Sequence, residues 1–140
     1  MIDNIFGVAG TALHAQLTRM NLTASNLANQ NTTAPTEDGA FKAKRSVFKA
    51  LMQQSDTHAG AQYVGGVRVA NIVDLQNPNP RVYEPGSPNA DKDGYVYMSN
   101  VNEVTEMVEM MAAARAYQNN VEVVNTAKAL MMKTLEVTKA

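Results

Sequence analysis

Residues 101–138 read VNEVTEMVEMMAAARAYQNNVEVVNTAKALMMKTLEVT, and this stretch decides the architecture. Val101, Val104, Val108, Met111, Ala114, Tyr117, Val121, Val124, Lys128, Met131 and Leu135 follow one another at steps of three or four, the spacing of one face of an α-helix. Asn100 followed by Glu103 has the spacing of a capping box, which marks the start. Glu103, Glu106 and Glu109 near the beginning and Lys128, Lys133 and Lys139 near the end complement the helix dipole. At ~1.5 Å per residue such a helix extends to roughly 55 Å. A small domain cannot bury a stripe of that length by itself, so the helix needs a partner along it.

The other end of the chain supplies one. Over residues 2–30, Phe6, Ala9, Leu13, Leu17, Met20, Ala24 and Leu27 recur at helical spacing, with Asp3 placed to cap the start. The polar face of this segment has almost no charge. Beyond Asp3 only Arg19 is ionised, and Gln16, Thr18, Asn21, Thr23, Ser25, Asn26 and Asn29 occupy the remainder. Water-facing helices normally carry Lys and Glu pairs. A face of amides and hydroxyls fits better against other helices, where such groups hydrogen-bond without an ionic desolvation cost. The first helix is therefore expected to fold back antiparallel on the last as a coiled coil. Leu13, Leu17, Met20, Ala24, Leu27, Val104, Val108, Met111, Val121, Val124, Met131 and Leu135 are then the candidate seam and assembly contacts. Met107, Met110, Met111, Met131 and Met132 add adaptable packing surface to the last helix.

Residues 32–100 differ in character. Pro35 stops the helical pattern within a loop at 31–39, and short runs near 41–51, 62–65, 67–75, 81–84 and 94–98 read as strands. Gly65-Gly66 between two such runs predicts a hairpin turn. Seven acidic and seven basic residues lie here, so the middle segment carries most of the solvent-type surface. The expected fold class is α+β. Segments 1–31 and 101–140 form a helical inner domain, and 32–100 is a β-rich insert.

The totals remove many functions. The 140 residues carry a formal net charge of −1 and no cysteine. No basic excess points to nucleic acid, and disulfide scaffolds, thiolate metal sites and thiol catalysis are excluded. No run of ~18 apolar residues is present for a membrane span. Residues 1–20 lack the basic start and apolar run of a cleaved secretory signal. His14 and His58 stand far apart, with no carboxylate cluster at ligand spacing, so no metal, cofactor or small-molecule ligand is expected. Asp91-Lys92-Asp93-Gly94 imitates part of a calcium loop but lacks the closing glutamate, and reads as a turn before a strand at Tyr95. No nucleophile motif or acid–base pair supports an enzyme.

Two segments carry a resemblance. Ala24-Ser-Asn-Leu-Ala-Asn29, with Asn26 and Asn29, resembles the N-terminal signature of the bacterial flagellar rod and hook proteins. Gly94-Tyr95-Val96, Asn100-Val101-Asn102, Ala114-Arg115-Ala116-Tyr117 and Asn120 resemble the C-terminal signature of the same axial family. Gly66-Val67-Arg68-Val69 and 85–91 are similar to its short proximal-rod members, although Ser87 and Leu75 depart from the common pattern. The resemblance implies a structural subunit of the proximal rod, the drive shaft crossing the periplasm. It implies export through the flagellar type III apparatus without signal cleavage, and helical assembly that transmits torque and encloses the export channel. The implied partners are copies of the chain, other proximal and distal rod proteins, and the export apparatus with its adaptor. A sister rod or injectisome-like axial subunit, and a helical export chaperone, are the alternatives.

Overall fold

The computed structural model describes residues 2–55 and 62–139, with side chains described over 4–51 and 65–138. The order is α1 (Ile2–Ala28), β1 (Thr33–Ala34), β2 (Lys44–Ser55), β3 (Gln62–Asp74), β4 (Arg81–Tyr83), β5 (Tyr95–Met98) and α2 (Glu103–Lys139). The class is α+β, with a helix at each end and small antiparallel sheets between. Among the described residues no helix is long and apolar enough to cross a membrane.

The two helices lie against each other in opposite senses. Asn26 of α1 meets Glu106 of α2, Arg19 meets Glu109, and Ile5, Val8 and Ala9 lie beside Asn120 and Val123. Residue numbers thus fall along α1 as they rise along α2. With 27 residues against 37, α1 is the shorter by about 15 Å at ~1.5 Å per residue. The excess lies at the C-terminal end of α2, where every residue over 132–138 is exposed.

β2 and β3 form a long two-stranded ribbon. Val47 faces Asn71 and Phe48 faces Val69, so Ala70 is the extra residue of a bulge. α1 crosses one face of this ribbon, half-burying Val67 and Val69, while Ile72 and Val73 beyond the bulge are exposed. Gly65-Gly66 does not turn the chain as expected. Both lie inside β3, opposite Met52 and Leu51. Their use is close approach: a Cβ on Gly66 would stand 3.1 Å from Thr11 Oγ1, and one on Gly65 3.8 Å from Val8. Thr11 Oγ1 also accepts the Val67 N–H at 3.1 Å, which ties α1 to the strand.

β1, β5 and β4 make the second sheet in that order, β5 pairing with both neighbours. β1 falls inside the expected loop at 31–39, too short to announce itself by alternation. The expected strand at 41–51 begins only at Lys44, because the Ala43 N–H donates to Asn100 Oδ1 at 2.7 Å instead of to a strand.

Both helix starts differ from expectation. Asp3 lies within the first turn of α1, and its side chain is outside the described residues. For α2 the cap is Asn102, whose Oδ1 accepts the Thr105 N–H at 2.9 Å. Asn100 serves elsewhere, because its side chain is already bound to three loop backbone groups.

Candidate assembly surface

The inward line of α2 begins at Glu106 and runs through Met110, Ala113, Tyr117, Asn120, Val124, Ala127 and Met131, alternating steps of four and three. Glu106, Ala113 and Ala127 are buried there and the others half-buried. On α1 the matching line is Ala9, Ala12, Gln16, Arg19, Thr23 and Asn26, at the same alternating steps. The fully buried positions of the helix pair are thus alanines and polar groups, with Met110, Tyr117, Val124 and Met131 half-buried between them. Ala9 and Ala113 are almost sealed from water, and Thr23 satisfies its hydroxyl on the Arg19 carbonyl at 3.0 Å.

A polar junction closes one end of this seam. Asn26 is fully buried; its Oδ1 accepts the Lys44 N–H at 2.9 Å and its Nδ2 donates to the Lys44 carbonyl at 3.0 Å. One side-chain amide therefore pairs with both backbone polar groups of Lys44 in β2. The same Nδ2 donates to Glu106 Oε2 at 3.0 Å. Glu106, 1% exposed, takes a two-pronged pair from Arg45, with Nη1 at 2.9 Å and Nη2 on the other oxygen. The hydrogen bond to Glu106 holds the Arg45 guanidinium above its ordinary value against the opposing effect of burial. Arg19 and Glu109 add a second ion pair, this one joining the two helices directly. α1, β2 and α2 meet at these groups.

The remaining motif residues fasten the loops. Asn29 ends α1, with its N–H bonded to the Ser25 and Asn26 carbonyls and its Nδ2 to Ser25 O at 2.8 Å. Asn100 Nδ2 donates to the Leu75 and Asn77 carbonyls at 3.0 and 2.8 Å. Asn120 Nδ2 donates to Ala116 O at 2.9 Å. Asp91 Oδ1 accepts the N–H groups of Tyr95 and Asp93, each at 2.9 Å, and the Tyr95 hydrogen bond draws the Asp91 carboxyl below its usual range. Gly94 takes φ +80° in this turn, where a Cβ would stand 2.9 Å from the Tyr83 ring. Asp91 thus turns the chain into β5. Tyr117 is half-buried beside the seam and Arg115 exposed.

The large apolar side chains lie outside. Val104 is 71% exposed and Met111 63%, with Met107 and Val108 exposed beside them. Leu130, Met132, Leu135 and Val137 continue the display to the far end of α2, and Ile5, Val8 and Leu17 add to it from α1. Val108, Met111, Ala112 and Arg115 line a shallow groove on the outer side, and Ile5, Val123, Ala127 and Leu130 line another. Of the expected seam residues, Leu13, Met20, Leu27, Val121, Val124 and Met131 are half-buried, whereas Leu17, Ala24, Val104, Val108, Met111 and Leu135 are exposed. Sequence reasoning missed Glu106, Arg45, Ala113 and Ala127 as contact residues. The four-three line headed by Glu106 was a readable signal, masked by the bulkier stripe beside it. His14 is exposed, and His58 lies outside the described residues.

These paired helical ends match known families at the same places. Residues 6–36 match the family described as flagella basal body rod protein, and residues 92–137 match the flagellar basal body rod FlgEFG protein C-terminal family. The chain is 49% identical to the flagellar basal-body rod protein FlgC of Salmonella typhimurium, with 94% of each chain covered. It belongs to the flagellar basal-body rod proteins. The similarity extends to FlgC of Buchnera aphidicola from Acyrthosiphon pisum, 43% identical over 97% of each, and of Bacillus subtilis, 34% identical over 94% of this chain and 95% of that one. This rod protein is a structural component of the flagellar basal body. The motif residues Asn26, Asn29, Asn100, Asn102 and Asn120 are all backbone-fastening groups, the chemistry of a part that must hold its shape.

Proposed function

We propose that this rod protein is a non-enzymatic subunit of the proximal rod, assembling helically with its own copies and with other rod proteins. The observation that carries this reading is the inverted distribution along α2. Alanines and a buried carboxylate occupy the seam with α1, while Val104, Met107, Val108 and Met111 face outward. Exposed apolar surface of this extent marks an interaction site. Contacts that repeat without closing build a helical filament, the symmetry of a shaft that transmits torque around an export channel. The alternating four-three lines on both helices support a coiled-coil seam, with Val124 and Met131 within it and Leu13, Met20, Leu27 and Val121 on its flanks. Leu17, Ala24, Val104, Val108, Met111 and Leu135 are then contacts to neighbouring subunits. The rod is reached through the type III apparatus and its adaptor without signal cleavage, and crosses the periplasm.

Deleting the gene tests the role. Loss of hook and filament, restored by the wild-type gene, is expected. Normal flagella in the deletion strain would contradict it.

A further inference from the structure

The helix seam has little in it to fix its own register. Three of its six fully buried members are alanines, and both lines repeat at alternating steps of four and three. Sliding α2 by seven residues, about 10 Å along the axis, keeps both four-three lines facing each other at the same period. Such a slide in one direction carries Glu106 from Asn26 towards Arg19, which is a second cation able to receive it. Period alone therefore separates the two registers poorly.

Within the pair the partly exposed Arg19–Glu109 link opposes the slide, and the more deeply buried constraint comes from outside it. Glu106 is nearly sealed from water, and its two oxygens are met by Arg45 of β2 and by Asn26, which is itself clamped on the Lys44 backbone. We infer that Asn26, Arg45 and Glu106 form a register key: β2 selects which turn of α2 may stand against the end of α1. A buried ion pair contributes little net stability over apolar replacements of similar size, whereas a single buried polar group can specify register. The key thus acts on alignment, and these three are positioning residues. The inference concerns pairing within one chain and stands or falls apart from the assembly role.

The chain has no cysteine, so introduced pairs report register without background. Ala9 lies beside Asn120 in the native pairing, and Ala113 and Ala127 are the positions one heptad to either side. Ala9→Cys is combined in turn with Asn120→Cys, Ala113→Cys and Ala127→Cys in the purified full chain. Intramolecular disulfide yield is then measured under mild oxidation. With the key intact, the Asn120→Cys pair is expected to exceed both others by at least tenfold. In the background Asn26→Leu, Arg45→Met, Glu106→Leu, the preference is expected to fall several-fold as a displaced pair gains yield. An unchanged preference for the Asn120→Cys pair in the apolar background overturns the inference. Loss of all three disulfides there also overturns it, because the junction would then be needed for pairing itself. Equal yields with the key intact would overturn it as well.

Discussion

The two long sides of α2 invert the usual distribution. The side against α1 buries Glu106, Ala113 and Ala127, while the opposite side leaves Val104, Met107, Val108 and Met111 in water. In a monomer that works alone the large apolar groups would be inside, where each contributes ~1.5–3 kcal/mol on burial. The inner side instead sets alanines among half-buried Met110, Tyr117, Val124 and Met131, and places its one fully buried charge, Glu106, in a hydrogen-bonded junction. The difference teaches that the two sides serve two stages. The inner side shapes the subunit, and the outer side is reserved for its neighbours.

Substitutions on the two sides should therefore fail differently. The largest effect is expected from Val108→Asp with Met111→Asp, which puts two charges into surface destined for burial. Swimming should be lost entirely, yet the purified chain should unfold within about 0.5 kcal/mol of wild type because both positions are exposed. Leu17→Asp should behave in the same way from α1. On the inner side, Glu106→Ala leaves Arg45 and Asn26 without their partner and should cost about 3–5 kcal/mol in denaturant unfolding.

Smaller effects belong to the supports. Gly94→Ala forces a side chain into φ +80° against Tyr83 and should cost about 1–2 kcal/mol, with loosened exchange at Tyr95 and Val96. Asn102→Ala removes the α2 cap and should cost ~1 kcal/mol, read as fraying of residues 103–106 by hydrogen exchange. The smallest effect is a pH response at Asp91. Its folded carboxyl is lowered chiefly by the Tyr95 N–H, so its contribution is complete above the unfolded value and disappears as pH falls through the folded one. The protection factor at Tyr95, corrected for intrinsic exchange at each pH, should fall on acidification, and Asp91→Asn should flatten that fall.

Much of this plan was legible in the residues. The long final helix, the charge-poor first helix and the polar strands between them follow from periodicity and from where charge is absent. The seam was harder to place. A bulky stripe through Val104, Val108 and Met111 and a smaller line through Glu106, Ala113 and Ala127 both have helical spacing. Hydrophobicity favours the first, although the single chain buries the second. Gly65-Gly66 misled for a related reason: glycine serves turns and close approach alike, and only the position of Thr11 distinguishes them. Arg45 could not be paired with Glu106 across 61 residues by any local pattern.

Methionine footprinting tests the central claim most directly. Met107 and Met111 stand exposed on the outer side of α2. Peroxide converts exposed thioethers to sulfoxides, and mass spectrometry reads the extent at each residue. The account predicts rapid oxidation of both in the purified chain and strong protection of both in isolated basal bodies. Equal oxidation in the two samples would contradict it.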